Sequence, residues 1–190
     1  MSLYQKKYFL EEKEEVVCNR CKKNYRRSYH SWCASCYNEY INKRILIDRE
    51  LGKGDYIYFI VNTKTGIICY TGKSNSIVIR KKAHLDWQTS KFGKMLRAAN
   101  SNSDDYKMFL LDLTSFNLTG AELRAIEHQH NRLHIETVVN SDIVVTEKDA
   151  YLLEELKYKG ILDEIDKLEW IEYDEFLHKK NTINSHNDSI

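Results

Sequence analysis

Two tyrosine-bearing segments separated by a short turn constrain this chain more than any other feature. Tyr56–Val61 reads YIYFIV, a run of aromatic and β-branched residues with the composition of a strand. Asn62-Thr63-Lys64-Thr65-Gly66 is turn chemistry, with Gly66 able to take positive φ, and Ile67 to Thr71 forms a second strand. Strands joined by so short a turn run antiparallel. Asn75 or Ser76 then caps a helix reaching about Gln88, and a second helix spans Lys91–Ala99. Lys107–Leu113 is a third strand. Thr119, with Glu122 three residues on, forms a capping box for a helix from Ala121 to about His134. Thr146 opens a further helix that closes near Gly160. The order β-β-α-α-β-α predicts an α+β fold, with a small three-stranded mixed or antiparallel sheet flanked by helices. A cysteine-rich segment precedes it and a helical extension follows.

Around this core the chain divides into a polar arm (1–15), a four-cysteine module (16–40), a linker helix (41–53), the α+β domain (54–142), an acidic helical extension (143–180) and a disordered tail (181–190). The extension carries Leu152, Leu153, Leu156, Ile161, Leu162, Ile165, Leu168, Trp170 and Phe176. Such apolar content implies packing, either on the catalytic core or across a homodimer. No apolar run approaches the roughly 20 residues of a membrane span, and the first residues lack a secretory segment. A cytoplasmic, nucleoid-associated setting is expected, or a nuclear one for a eukaryotic or viral protein, with no membrane partner.

In a reducing compartment, closely spaced cysteines are metal ligands rather than disulfides. Cys18-x2-Cys21 and Cys33-x2-Cys36 form two knuckles that together complete a tetrahedral Zn²⁺ site. Four protein ligands close the coordination shell, which makes the zinc structural. Cys69, inside the second strand, reads as a buried apolar residue. Although the net charge is only +1, the front of the chain is basic and the segment after Glu147 acidic. Arg20, Lys22, Lys23, Arg26 and Arg27 lie among the cysteines, with Tyr25, Tyr29 and Trp32 interleaved. This pattern suits phosphate contact with double-stranded DNA.

Hydrolysis of a phosphodiester needs an activated water, neutralisation of developing charge and help for the leaving oxygen. Arg80 and His84, four apart on a predicted helix, share a face. Arg80 can fork onto a phosphate, and His84 can hydrogen-bond it or shuttle a proton. Tyr58 and Tyr70 come from paired strands and can orient or deprotonate water. Lys73 follows Gly72 at a bend where backbone can approach a phosphate. Glu127 lies at the edge of the inward stripe of AELRAIEHQHNRLH, where a carboxylate needs a partner such as Mg²⁺. His130 and His134, also four apart, read as ordinary histidines rather than a metal pair.

This ordered set resembles the core of the GIY-YIG nuclease superfamily across residues 54–142. Tyr56-Ile57-Tyr58 stands in the first motif and Tyr70-Thr71-Gly72 in the second; Arg80, His84, Glu127 and Asn140 follow in the family's order. Tyr56 replaces the usual glycine and Thr71 the usual aliphatic residue. The resemblance implies a hydrolase that cuts DNA internally with Mg²⁺ (or Mn²⁺). Glu127 would be the sole protein ligand of the ion, Arg80 would stabilise the transition state, and Tyr58 or Tyr70 would be the general base. His84 would support proton transfer or phosphate binding, with Gly72, Lys73 and Asn140 in support. Joined to a zinc module, such a core looks like a homing or phage-type endonuclease. A restriction endonuclease, a structure-specific repair nuclease, or a zinc-dependent DNA-binding protein with an inactive core are the alternatives.

Overall fold

The computed structural model describes residues 17–24, 32–134, 136–139 and 144–187, with backbone alone for 183–187. The chain forms two compact units, 1–47 and 48–190. Helix α1 (Ala34–Leu51) leads from the first into the second and begins within the cysteine module, earlier than the expected linker helix.

The second unit is built on strands β1 (Lys53–Asn62), β2 (Ile67–Ser76) and β3 (Tyr106–Asp112). At the hairpin turn, the amides of Thr65 and Gly66 donate to the Asn62 carbonyl, and Gly66 adopts φ 70°. A left-handed residue is needed there, and glycine takes it without steric cost. The sheet is antiparallel in the order β2-β1-β3-β4. Its fourth strand, β4 (Ile171–Glu172), was not anticipated. It comes from the acidic extension and pairs with Phe109 and Leu110 of β3. Two residues carry no readable strand signal, so the expected three-stranded sheet becomes four-stranded.

After β2, a short helix α2 (Ile77–Lys81) runs into a π-helical turn at Lys82–Asp86. Then come α3 (Lys91–Ala98), α4 (Gly120–Leu133), α5 (Glu147–Tyr158), α6 (Ile161–Ile165) and α7 (Tyr173–Asn187). The capping box of Thr119 and Glu122 is formed, and Thr146 and Asp149 make a second one. Ser76 precedes α2 but its side chain makes no capping bond. Helix α7 continues to Asn187, into the stretch expected to lack structure.

Strand β1 is apolar on both sides because helices cover both faces of the sheet. Tyr56, Tyr58 and Ile60 join Met108 and Leu110 in a core with Ile77, Val78, Leu85, Phe92, Leu96, Tyr173 and Phe176. Ile57 and Leu111 lie in a second core with Leu113, Leu123, Ile126, Leu156 and Ile165, against which Trp170 packs. The extension packs on the sheet of the same chain, contributing Tyr173 and Phe176 to one core and Leu156 and Ile165 to the other. No helix among the described residues is long and apolar enough to cross a membrane.

Phe176 packs edge-on against Tyr56 at 5.5 Å between ring centroids. Phe176→Ala is therefore expected to cost about 3–5 kcal/mol, the range for a large aromatic removed from a core, measured by urea unfolding. A loss below about 1 kcal/mol would show that α7 does not hold the sheet.

Candidate functional site

The site begins with a glycine. Gly72 pairs with Tyr58 across β1 and β2. A Cβ built on Gly72 would lie 2.5 Å from Tyr58 Oη, so only glycine admits the phenol there. Tyr58 is buried, and its hydroxyl forms a 2.9 Å hydrogen bond with His84 Nε2. His84 Nδ1 in turn lies 2.7 Å from Ser90 Oγ, which accepts the Gly93 amide as the N-cap of α3. Both ring nitrogens are thus engaged within the protein. Burial, then the charge of Arg80, pushes the His84 pKa down to about 4, so the ring is neutral at pH 7. Burial, then the neighbouring Tyr70, raises that of Tyr58 well above the ordinary phenol value. Tyr70 stacks 6.2 Å from Tyr58, 4.7 Å from His84 and 5.6 Å from Phe92. It keeps partial exposure, whereas Tyr58 has almost none.

Helix α4 brings the acidic residue to the outer edge of β2. Glu127 Oε1 accepts the Lys73 amide at 3.1 Å. Burial raises the Glu127 pKa against the opposing charges of Lys73, His128 and Arg80. Among the described residues, no cation stands within 4.0 Å of its carboxylate to form an ion pair. One helical turn on, buried Asn131 accepts a 2.9 Å hydrogen bond from the Thr71 hydroxyl, which accounts for a polar residue in that strand. His128, beside Glu127, bonds Asp149 at 2.9 Å. Burial alone would raise the Asp149 pKa, but the Thr146 hydroxyl and amide and His128 together hold it down to about 2. That pair ties α4 to α5.

Several expectations change here. Arg80 and His84 differ in exposure: His84 is buried in the π-helical turn while Arg80 stays exposed, although its charge still acts on the imidazole. His84 has no ring nitrogen left for a direct phosphate bond. The Lys73 ammonium donates to the Gly120 carbonyl at 3.1 Å. Asn140 lies outside the described residues, as do Arg26 and Arg27. Ser90, Asn131 and Asp149 were missed by the sequence reading. Ser90 had a signal in its capping position, and Asn131 in its spacing four residues after Glu127.

In the first unit, the sulfurs of Cys18, Cys21, Cys33 and Cys36 lie within 4.8 Å of one another, and Cys21 and Cys33 are 3.8 Å apart. Tetrahedral Zn–S bonds of about 2.3 Å require sulfurs about 3.8 Å apart, so the set fits structural zinc. Burial raises the Cys18 thiol, but the amides of Cys21, Cys33 and Arg20 outweigh it and bring it down to about 6. Burial and the neighbouring thiols push Cys36 up to about 12. Four crowded thiols ionise together only when they share a cation. Arg20 is used internally: it donates to the Cys36 carbonyl, pairs with Glu39 at 3.1 Å and lies 5.5 Å over Trp32. Lys22 and Lys23 are exposed.

Comparison with protein-family models, curated proteins and solved structures gives no match for this chain.

Two outcomes follow from this geometry. The unfolded chain protonates His84 near 6.5 and the folded chain only near 4, so falling pH across that window favours unfolding. His130, also lowered by burial, acts in the same direction. The melting temperature is therefore expected to drop across this range, less steeply in His84→Gln. Equal slopes would exclude His84 as a source. Purified protein should also carry about one zinc per chain by atomic emission, and Cys36→Ser should lose it. Full retention would remove Cys36 from the ligand set.

Proposed function

We propose that this protein is a Mg²⁺-dependent DNA endonuclease of the GIY-YIG type. The observation that carries the reading is the convergence at the edge of β2. A half-buried carboxylate without an ion-pair partner among the described residues, two stacked phenols, a neutral histidine and an exposed arginine come from different elements there.

Glu127 is the residue to hold the divalent cation. A half-buried carboxylate without an ion-pair partner among the described residues fits a hard cation with oxygen ligands. Mg²⁺ or Mn²⁺ bound there would neutralise charge on the phosphate and its leaving oxygen. The Lys73 amide fixes the orientation of the carboxylate. Arg80 acts electrostatically on Tyr58, His84 and Glu127 alike, and its exposed guanidinium is free to fork onto the scissile phosphate. Exposure separates the tyrosines. Tyr70 can meet a water and, as its phenolate, take the proton while the water attacks phosphorus and the P–O bond to the leaving oxygen breaks. Tyr58 locks His84 behind it. In the first unit, Lys22 and Lys23 are the described residues suited to gripping the DNA backbone.

Glu127→Ala and Arg80→Ala are expected to reduce Mg²⁺-dependent plasmid nicking by at least about 10²-fold, as for loss of a transition-state contact, while duplex binding persists. Undiminished nicking by both variants would overturn the site. Absence of metal-dependent nicking by the unaltered protein on plasmid, flap and junction substrates would instead favour a DNA-binding protein with an inactive core.

A further inference from the structure

Beside Arg80 lies an open cleft of about 660 Å³ that none of the roles above uses. It lies where the end of α1, the start of β1, the end of β2 and α2 come together. Its polar lining is Arg49, Lys53, Ser74, Asn75, Ser76 and Arg80. The only carboxylate on it, Glu50, sits 3.7 Å from Lys53, and both side chains are about 70% exposed. An ion pair so exposed contributes almost nothing, so Lys53 remains available. Among the described residues, neither Arg49 nor Arg80 forms an ion pair or a side-chain hydrogen bond. Ser76 Oγ is, among the described residues, the only buried side-chain polar atom without a hydrogen-bond partner. A buried hydroxyl left unpaired is unfavourable, and turning its rotor toward an acceptor in the cleft would satisfy it.

Two unpaired guanidiniums, an ammonium, neutral donors and an orphan hydroxyl are donor chemistry seeking a multi-oxygen anion. We propose that this cleft is a second phosphate subsite, holding the phosphodiester next to the one cleaved in the same DNA strand. Arg49 and Lys53 contact this neighbouring phosphate, Ser76 donates to it, and Arg80 stands between the two. The inference rests on the nuclease reading for what Arg80 does, but not for the cleft's affinity for DNA. The subsite sets the register of the strand, so that the scissile bond is presented to Glu127 and Tyr70.

The test measures binding without divalent metal, by fluorescence anisotropy of a fluorescein-labelled random-sequence duplex across a salt series. Losing one phosphate contact lowers the slope of log K against log[salt] by about 0.9. Arg49→Gln/Lys53→Gln is expected to show that decrease, and Ser76→Ala a weaker affinity at unchanged slope. Lys167→Gln, which removes an exposed lysine paired with Glu164, should match the unaltered protein. An unchanged slope in Arg49→Gln/Lys53→Gln overturns the subsite, as does failure of the unaltered protein to bind duplex DNA. A reduced slope in a protein that never nicks DNA upholds the subsite and overturns the nuclease reading, so the two fail separately.

Discussion

The hydroxyl of Tyr58 can occupy only one place, and the second unit is arranged around it. The phenol sits in the central strand with almost no exposure, facing a glycine whose missing Cβ makes room for it. A phenol buried without a partner costs roughly 1–3 kcal/mol, so the fold must bring a polar group to meet it. His84 does so, and Ser90 satisfies the other side of the imidazole. The chain Tyr58–His84–Ser90 thus fixes three elements relative to one another: β1, the π-helical turn and the N-terminus of α3. The same burial keeps the imidazole neutral, which suits it to orient neighbours rather than to bind an anion.

Strand β2 is the second constraint. It lies at the edge of the sheet, so its outward amides need partners from outside the ladder. Glu127 takes the Lys73 amide, and Asn131 takes the Thr71 hydroxyl. Helix α4 therefore covers an exposed edge and in doing so delivers a carboxylate to the face where the tyrosines and Arg80 gather. A bulge at Cys69 serves the same end: Ile60 pairs with Tyr70 but Val61 with Ile68, and the Cys69 carbonyl accepts the Val139 amide at 2.8 Å.

The two units are stabilised in different ways. The second has two apolar cores, one on each face of the sheet, and the acidic extension contributes to both. Among its described residues, the first has the four cysteines and the half-buried Trp32 in place of a larger core. A metal bound to all four thiolates would supply folding free energy that so small an apolar cluster cannot. Arg20 illustrates the consequence. Its position in the sequence reads as a phosphate contact, yet its guanidinium is spent on Trp32, the Cys36 carbonyl and Glu39.

By itself the sequence determined what short-range rules govern. The hairpin followed from turn chemistry at Asn62–Gly66, one helix start from the capping box of Thr119 and another from Thr146, and the four-cysteine cluster from knuckle spacing. Each is decided within a few residues, where local backbone geometry leaves one solution. It also marked Tyr58, Tyr70, Arg80, His84 and Glu127 as worth bringing together. Only the tertiary structure decided which way each side chain faces and what it touches. It buried His84 in the π-helical turn and left Arg80 exposed, a difference that their four-residue spacing does not record. Strand β4 and the partners Ser90, Asn131 and Asp149 arose from contacts between elements distant in the chain. Those contacts are selected by burial and by the need to satisfy buried polar groups, which no local pattern in the sequence records.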